Sequence, residues 1–230
     1  MSPRPRPQPA SQNPAILLVP GLFGSGPEHW QTLWEQQHPD CSKVELGRWD
    51  EPHRNTWINN LNLAIRQARR PVVLVAHSLG CLAVAWWARY AQRDEEQPVI
   101  GALMVAPPEV DFFPLDERVA RFAPTPTEAL PFPSRLIASR NDPWMGHHTA
   151  QALARRWGSL FVDAGACGHI NAESDLGDWS FGREQLAALL REDLPGAGQL
   201  EFGRAGETEA GLSRGTRTPE RRGLGHSLQR

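Results

Sequence analysis

Six short segments of the chain predict β-strands, because each is rich in apolar residues and is closed by a turn-forming loop. They cover residues 15–19, 43–46, 71–77, 99–106, 135–139 and 159–162. The run 71–77 is almost continuously apolar and rich in valine, as expected of a strand buried on both faces of a parallel sheet.

Helical spacing of apolar positions returns between these segments. It predicts a helix around Trp30 to Trp34, a second over 57–65, a third after Gly80, a fourth over 150–157 and a fifth over 181–194. Strands that alternate with helices in this way indicate an α/β fold, with about six mostly parallel strands and helices on both faces. Residues 109–133 carry prolines and one short helical patch, which is too little for a large cap domain.

The sequence Ala76-His77-Ser78-Leu79-Gly80 lies where the central predicted strand meets its helix. It matches the Gly-x-Ser-x-Gly nucleophile elbow, with alanine in the first glycine position. The alternative is that Ser78 only caps the helix that follows.

A glycine-rich loop, residues 21–27, follows the first predicted strand. It lacks the Lys-Ser/Thr ending of a P-loop and the third glycine of a dinucleotide fingerprint. In a nucleophile-elbow hydrolase such a loop supplies half of an oxyanion hole. We therefore expect the backbone N–H groups of Leu22 and Leu79 to be the two oxyanion donors.

A serine hydroxyl needs a base, and the base needs an acid that holds its tautomer. Asp142 and His169 follow the fifth and sixth predicted strands, in the chain order Ser, Asp, His of the α/β-hydrolase fold. Because ligands gather at the carboxyl ends of parallel strands, we expect Ser78, Asp142 and His169 to meet there. Asp142 could instead form only an Asx turn, in which case Asp163 is the rival acid.

The remaining histidines and cysteines have simpler interpretations. His77 is interpreted as structural, and His169 could also be a structural or helix-capping residue. His147 and His148 are adjacent and lack a third ligand, so no metal site is predicted. Cys81 is interpreted as a core residue. An odd total of three cysteines without metal-ligand spacing favours a reducing, cytoplasmic location.

Composition separates the two ends from the middle of the 230-residue chain. Residues 1–14 are rich in proline with two arginines, and residues 196–230 hold eight of the 20 glycines, so both are predicted to be disordered. Residues 15–195 then form one domain. Both ends are positive within a net charge of −2, so the middle carries about −6, which argues against nucleic-acid binding. Neither a signal peptide nor a membrane span is recognised.

Five motifs together resemble the small serine hydrolases grouped with human retinoblastoma-binding protein nine and the bacterial YdeN-type proteins. The resemblance covers about residues 15–194 and implies a compact α/β hydrolase without a large lid, a Ser78-His169-Asp142 triad and esterase-like activity on small acyl substrates. Where many relatives have glycine, this chain has Ala76. The motifs are Val19-Pro20-Gly21, Trp49-Asp50-Glu51-Pro52, Ala76 to Gly80, Asn141-Asp142-Pro143 and Cys167-Gly168-His169-Ile170-Asn171.

The sequence thus predicts a serine hydrolase that cleaves small acyl esters through an acyl-enzyme, without a metal or organic cofactor. Trp49 and Trp144 lie beside the triad loops, so they are predicted to line an apolar acyl pocket, with ordinary packing as the alternative. Two other functions stay open: a hydrolase-like protein-binding module with little catalysis, and a peptidase or amidase. The sequence predicts neither the oligomeric state nor the physiological acyl group.

Overall fold

The computed structural model describes residues 13–91 and 98–193. Six strands form one sheet in the order β2-β1-β3-β4-β5-β6, and every neighbouring pair is parallel. The predicted sheet is therefore confirmed. The strands are β1 Ala15–Val19, β2 Cys41–Lys43, β3 Val72–His77, β4 Val99–Val105, β5 Ser134–Ala138 and β6 Leu160–Asp163.

In the described part of the chain, five α-helices cover the sheet, and no large cap domain interrupts their alternation with the strands. Shorter helical turns occur at Val119–Phe122 and Ala172–Ser174, and a π-helical turn, Leu189–Asp193, continues the last helix. The α-helices are α1 Trp30–Gln37, α2 Arg54–Gln67, α3 Leu79–Ala91, α4 His147–Trp157 and α5 Ser180–Ala188.

Two hydrophobic cores lie on opposite faces of the sheet. Alternate residues of β3 divide between them: Leu74 and Ala76 face the core under α2, α3 and α4, whereas Val73 and Val75 face the core under α1 and α5. Successive side chains of a strand point to opposite faces, so both faces of a central strand must be apolar when both are covered. This explains the unbroken apolar run of β3.

The predicted strand at 43–46 is wrong in its position, because β2 spans Cys41–Lys43. Val44 and Leu46 are nevertheless buried in the core, and the Val44 N–H still donates to the Leu18 carbonyl at 2.9 Å. The alternating pattern was therefore produced by core packing just beyond a short edge strand.

The predicted disordered segments fall almost entirely outside the described residues, which begin at 13 and end at 193. Those two predictions therefore stay predictions. Among the residues that the structure does describe, none of the helices is both long enough and apolar enough to cross a membrane.

Candidate active site

Ser78 occupies a sharp turn between β3, which ends at His77, and α3, which begins at Leu79. Its φ of 53° lies in the left-handed region, which costs a residue with a side chain roughly 1–3 kcal/mol. The Ser78 N–H donates to the Val105 carbonyl at 2.9 Å, so the neighbouring strand β4 holds the turn in place. The local geometry is that of a nucleophile elbow.

Two glycines allow the backbone around Ser78 to pack this tightly. A Cβ on Gly80 would lie 2.2 Å from the Val19 carbonyl oxygen, and a Cβ on Gly21 would lie 2.7 Å from the Ser78 Cβ. Ala76, in contrast, sits inside β3 with its methyl group fully buried in the core. The alanine in the first glycine position of the motif is thus accommodated by the fold.

His169 links Ser78 to Asp142 through its two ring nitrogens. Nε2 lies 2.8 Å from the Ser78 Oγ, and Nδ1 lies 3.0 Å from each carboxylate oxygen of Asp142. The side chains of His169 and Asp142 are only 8% and 3% exposed, so water competes little for these hydrogen bonds. The structure therefore brings together the three side chains that the sequence selected.

Sequence reasoning did not assign a role to Ser139 and Asn141, which fix the loop that carries His169. The Ser139 Oγ accepts from the Cys167 N–H, and the Asn141 Oδ1 accepts from the Gly168 N–H, both at 2.8 Å. Ser139 also donates to Asn141 at 2.8 Å, so the two side chains form one unit. Only the position of Asn141 directly before Asp142 could have indicated this role.

Asp163, the alternative acid for His169, bonds to other groups. It forms an ion pair with Arg140 at 2.7 Å and accepts from the Gly165 N–H at 2.8 Å. The Arg140 guanidinium and that N–H lower the pKa of the Asp163 carboxyl. Asp142 also accepts from the Trp144 N–H at 2.9 Å, the Asx-type bond considered above, while holding His169. The turn-forming and histidine-orienting roles of Asp142 are thus compatible.

The loop after β1 packs directly against the elbow. Its turn is closed by a bond from the Gly24 N–H to the Gly21 carbonyl, and the Phe23 N–H donates to the Trp49 carbonyl. The N–H groups of Leu22 and Leu79 have no hydrogen-bond acceptor within residues 13–91 and 98–193. Neither of the predicted oxyanion donors is therefore committed to another acceptor in those residues, and their contact with an oxyanion stays a prediction.

The two predicted pocket tryptophans lie beside this machinery and are partly buried. The Trp144 ring stacks on the His169 imidazole, with ring centroids 5.3 Å apart. A Cβ on Gly24 would touch the Trp49 ring at 3.4 Å, so that ring lies against the loop after β1. Each tryptophan therefore supports a neighbouring loop or side chain, and its contact with an acyl group stays a prediction.

Other candidate groups do not extend the site. The described residues contain no cluster of three or more His, Cys, Asp or Glu side chains that could hold a metal ion. Cys81 is fully buried, and burial raises the pKa of its thiol, in agreement with a core position.

An open, parallel sheet with a nucleophile elbow defines the class of this protein as an α/β hydrolase. The chain belongs to the serine hydrolase family, whose model matches residues 16–188. It is accordingly a hydrolase. No curated protein matches the chain.

Solved structures agree with this assignment. A YdeN-like hydrolase from Pectobacterium atrosepticum is 33% identical over 80% of this chain and 95% of its own, with a TM-score of 0.71. The ydeN gene product of B. subtilis is 18% identical, covers 75% of this chain and 96% of its own, and has a TM-score of 0.60. An esterase domain from Rhodothermus marinus shares the fold at 19% identity, with 80% and 89% coverage and a TM-score of 0.57.

Proposed function

We propose that this protein is a serine esterase that cleaves small acyl esters with Ser78 as nucleophile, His169 as general base and Asp142 as the orienting acid. The observation that carries the proposal is the unbroken line of hydrogen bonds from the Ser78 Oγ through His169 to the Asp142 carboxylate. Such a line activates a hydroxyl that is otherwise a weak nucleophile at neutral pH.

In the first half of the reaction, the His169 Nε2 accepts the Ser78 proton while the Oγ forms a bond to the ester carbonyl carbon. The Leu22 and Leu79 N–H groups donate to the resulting oxyanion, and one such donor typically contributes about 3–4 kcal/mol. When the tetrahedral intermediate collapses, the ester C–O bond breaks. The departing alcohol takes the proton from His169 and leaves an acyl-Ser78.

In the second half, a water molecule gives its proton to His169 as its oxygen attacks the acyl carbon. Collapse of this second intermediate breaks the bond to the Ser78 Oγ, which recovers the proton from His169. The products are the acid and an enzyme ready for another cycle. The proposed scheme uses neither a metal nor an organic cofactor, because the residues named supply every proton transfer.

Labelling with a fluorophosphonate probe tests the proposal. The wild-type protein should be labelled stoichiometrically, and Ser78→Ala should not be labelled. Ser134→Ala is the matched control, because Ser134 is also buried but its hydroxyl bonds to that of Ser159, at 2.7 Å. A folded wild-type protein that is not labelled would contradict the proposal and favour the binding-module alternative.

Nitrophenyl esters of increasing acyl length then test the substrate class. We expect the highest kcat/KM for short acyl groups, because the Trp144 ring occupies one face of His169, where an acyl chain then cannot lie. Faster cleavage of the matching anilides than of the esters would show that the protein is an amidase instead.

A further inference from the structure

His77 lies directly before the proposed nucleophile and bonds to the backbone of the proposed base. The side-chain alternation of β3 directs it to the face covered by α1 and α5, where it is 4% exposed. Its Nε2 lies 3.0 Å from the carbonyl oxygen of His169, 92 residues along the chain. One strand end thus presents Ser78 and also contacts the residue that must activate it.

The surroundings of His77 keep its ring neutral. Burial is the main cause that lowers its pKa well below 6.5, and the rings of His29 and His169 act in the same direction. A neutral imidazole carries one proton, and a carbonyl oxygen can only accept. The proton of His77 therefore lies on Nε2, and His77 donates to the His169 carbonyl.

Trp30 makes a similar bond to the next peptide group. It lies in the first turn of α1, is 1% exposed, and donates from its indole Nε1 to the Ile170 carbonyl oxygen at 2.8 Å. Ile170 has a φ of 50°, which is rare for a β-branched residue and requires support from its surroundings. The rings of Trp30 and His77 also meet edge to face, with centroids 6.0 Å apart.

We propose that His77 and Trp30 are positioning residues, which hold the carbonyl groups of His169 and Ile170 and so keep the His169 imidazole aligned with Ser78. This inference rests on the proposed function. The two bonds hold the carbonyl groups of His169 and Ile170, one from the end of β3 and one from α1, whereas Asp142 holds the His169 ring. Misplacement of a reacting group by about 1 Å can cost about 100-fold in rate, so loss of this support should reduce turnover.

The first test compares Trp30→Phe with Trp157→Phe. Both tryptophans are buried, and each donates one indole hydrogen bond to a backbone carbonyl, but that of Trp157 goes to Pro126 at 2.7 Å. For Trp30→Phe we expect kcat on a nitrophenyl ester to fall about 10- to 100-fold, with KM changed little. Trp157→Phe should lower the melting temperature comparably and leave kcat near the wild-type value.

The second test is rescue at His77. His77→Leu removes the donor and leaves the His169 carbonyl without its partner, so kcat should fall about 10- to 100-fold. His77→Gln has a side-chain amide that can donate to the same carbonyl, and it should recover most of the lost rate. A structural role alone would make Leu and Gln differ in melting temperature but not in kcat.

The outcomes separate this inference from the proposed function. If the wild-type protein resists the fluorophosphonate probe, the proposed function fails. If the wild type is labelled and folded Trp30→Phe and His77→Leu are labelled at the same rate, only the positioning role is overturned. An equal loss of kcat in Trp157→Phe would also overturn it, because the effect would then be one of general stability.

Discussion

Replacing Asp142 with asparagine should reduce turnover far more than it reduces stability. The Asp142 Oδ1 accepts from the Trp144 N–H at 2.9 Å, and an asparagine side chain satisfies that N–H only if its own oxygen takes this place. Its NH₂ group then occupies the Oδ2 position, 3.0 Å from the His169 Nδ1. The asparagine oxygen in the Oδ1 position is equally close to Nδ1 but already accepts from the Trp144 N–H. The amide donor beside it therefore favours the tautomer with Nδ1 unprotonated and the proton on Nε2.

That tautomer cannot accept the Ser78 proton. The matching change in serine proteases lowers kcat by about 10⁴, so we expect a loss of about 10³ to 10⁴ here, equivalent to about 4–5.5 kcal/mol of transition-state stabilisation. Asparagine has nearly the same volume as aspartate and keeps the Trp144 bond, so the melting temperature should change by only a few degrees. KM should change little, because His169 acts mainly in the transition state.

The assay is the steady-state hydrolysis of a short nitrophenyl ester, with a melting curve recorded for each variant. Asp163→Asn is the matched control, because Asp163 is the alternative acid in the sequence and its carboxylate bonds to Arg140 and the Gly165 N–H. It should keep kcat within about twofold of the wild type. Folded Asp142→Asn with near-normal kcat would refute the reasoning, and a large loss in Asp163→Asn would transfer the role to that residue.

Three further predictions concern stability and thiol chemistry. Gly80→Ala should lower the free energy of unfolding by about 3 kcal/mol or more in urea titrations, because its Cβ would meet backbone oxygen. A Cβ on Gly26 meets nothing within 4 Å, so Gly26→Ala should be neutral. Equal stability of the two variants would contradict this. Burial lowers the pKa of His29 from 6.5 to about 4, so the native state resists protonation that the unfolded state accepts. The contribution of His29 to the free energy of unfolding should therefore be complete above pH 6.5 and fall by about 3 kcal/mol as the pH drops to 4. His29→Asn should reduce the pH dependence by that amount, and an unchanged slope in that variant would contradict the assignment. Burial raises the pKa of the Cys41 thiol to about 12 and that of Cys81 further still, so iodoacetamide at pH 8 should leave both unmodified in native protein by mass spectrometry, and their rapid alkylation would disprove this burial.

The fold and the three central side chains could be predicted because their signals are local. Ser78, Asp142 and His169 each follow a recognisable strand, and parallel strands bring their carboxyl ends to one edge. The residues around them gave no such signal. That His77 would reach the His169 carbonyl depends on a contact between residues 92 positions apart, and the stacking of Trp144 on His169 depends on the exact path of two loops. Spacing along the chain cannot define either contact.

The edge strand β2 shows a second limit of prediction from the sequence. Val44 and Leu46 alternate with polar residues and are buried, so their pattern satisfied the expectation for a strand. The strand register nevertheless ends at Lys43, with one further backbone bond from the Val44 N–H to the Leu18 carbonyl. Hydrophobic alternation predicts which side chains are buried, but it does not fix where a ladder of hydrogen bonds stops.

The wide separation of the proposed catalytic groups affects when activity can arise during synthesis. The Ser78 and His169 side chains meet although they lie 91 positions apart, and the last strand lies between them in sequence. At about 5–20 residues per second, a ribosome needs several seconds to add this stretch after the nucleophile is made. A nascent chain therefore carries its serine for that time without a base, and it can cleave no ester until nearly the whole domain has emerged.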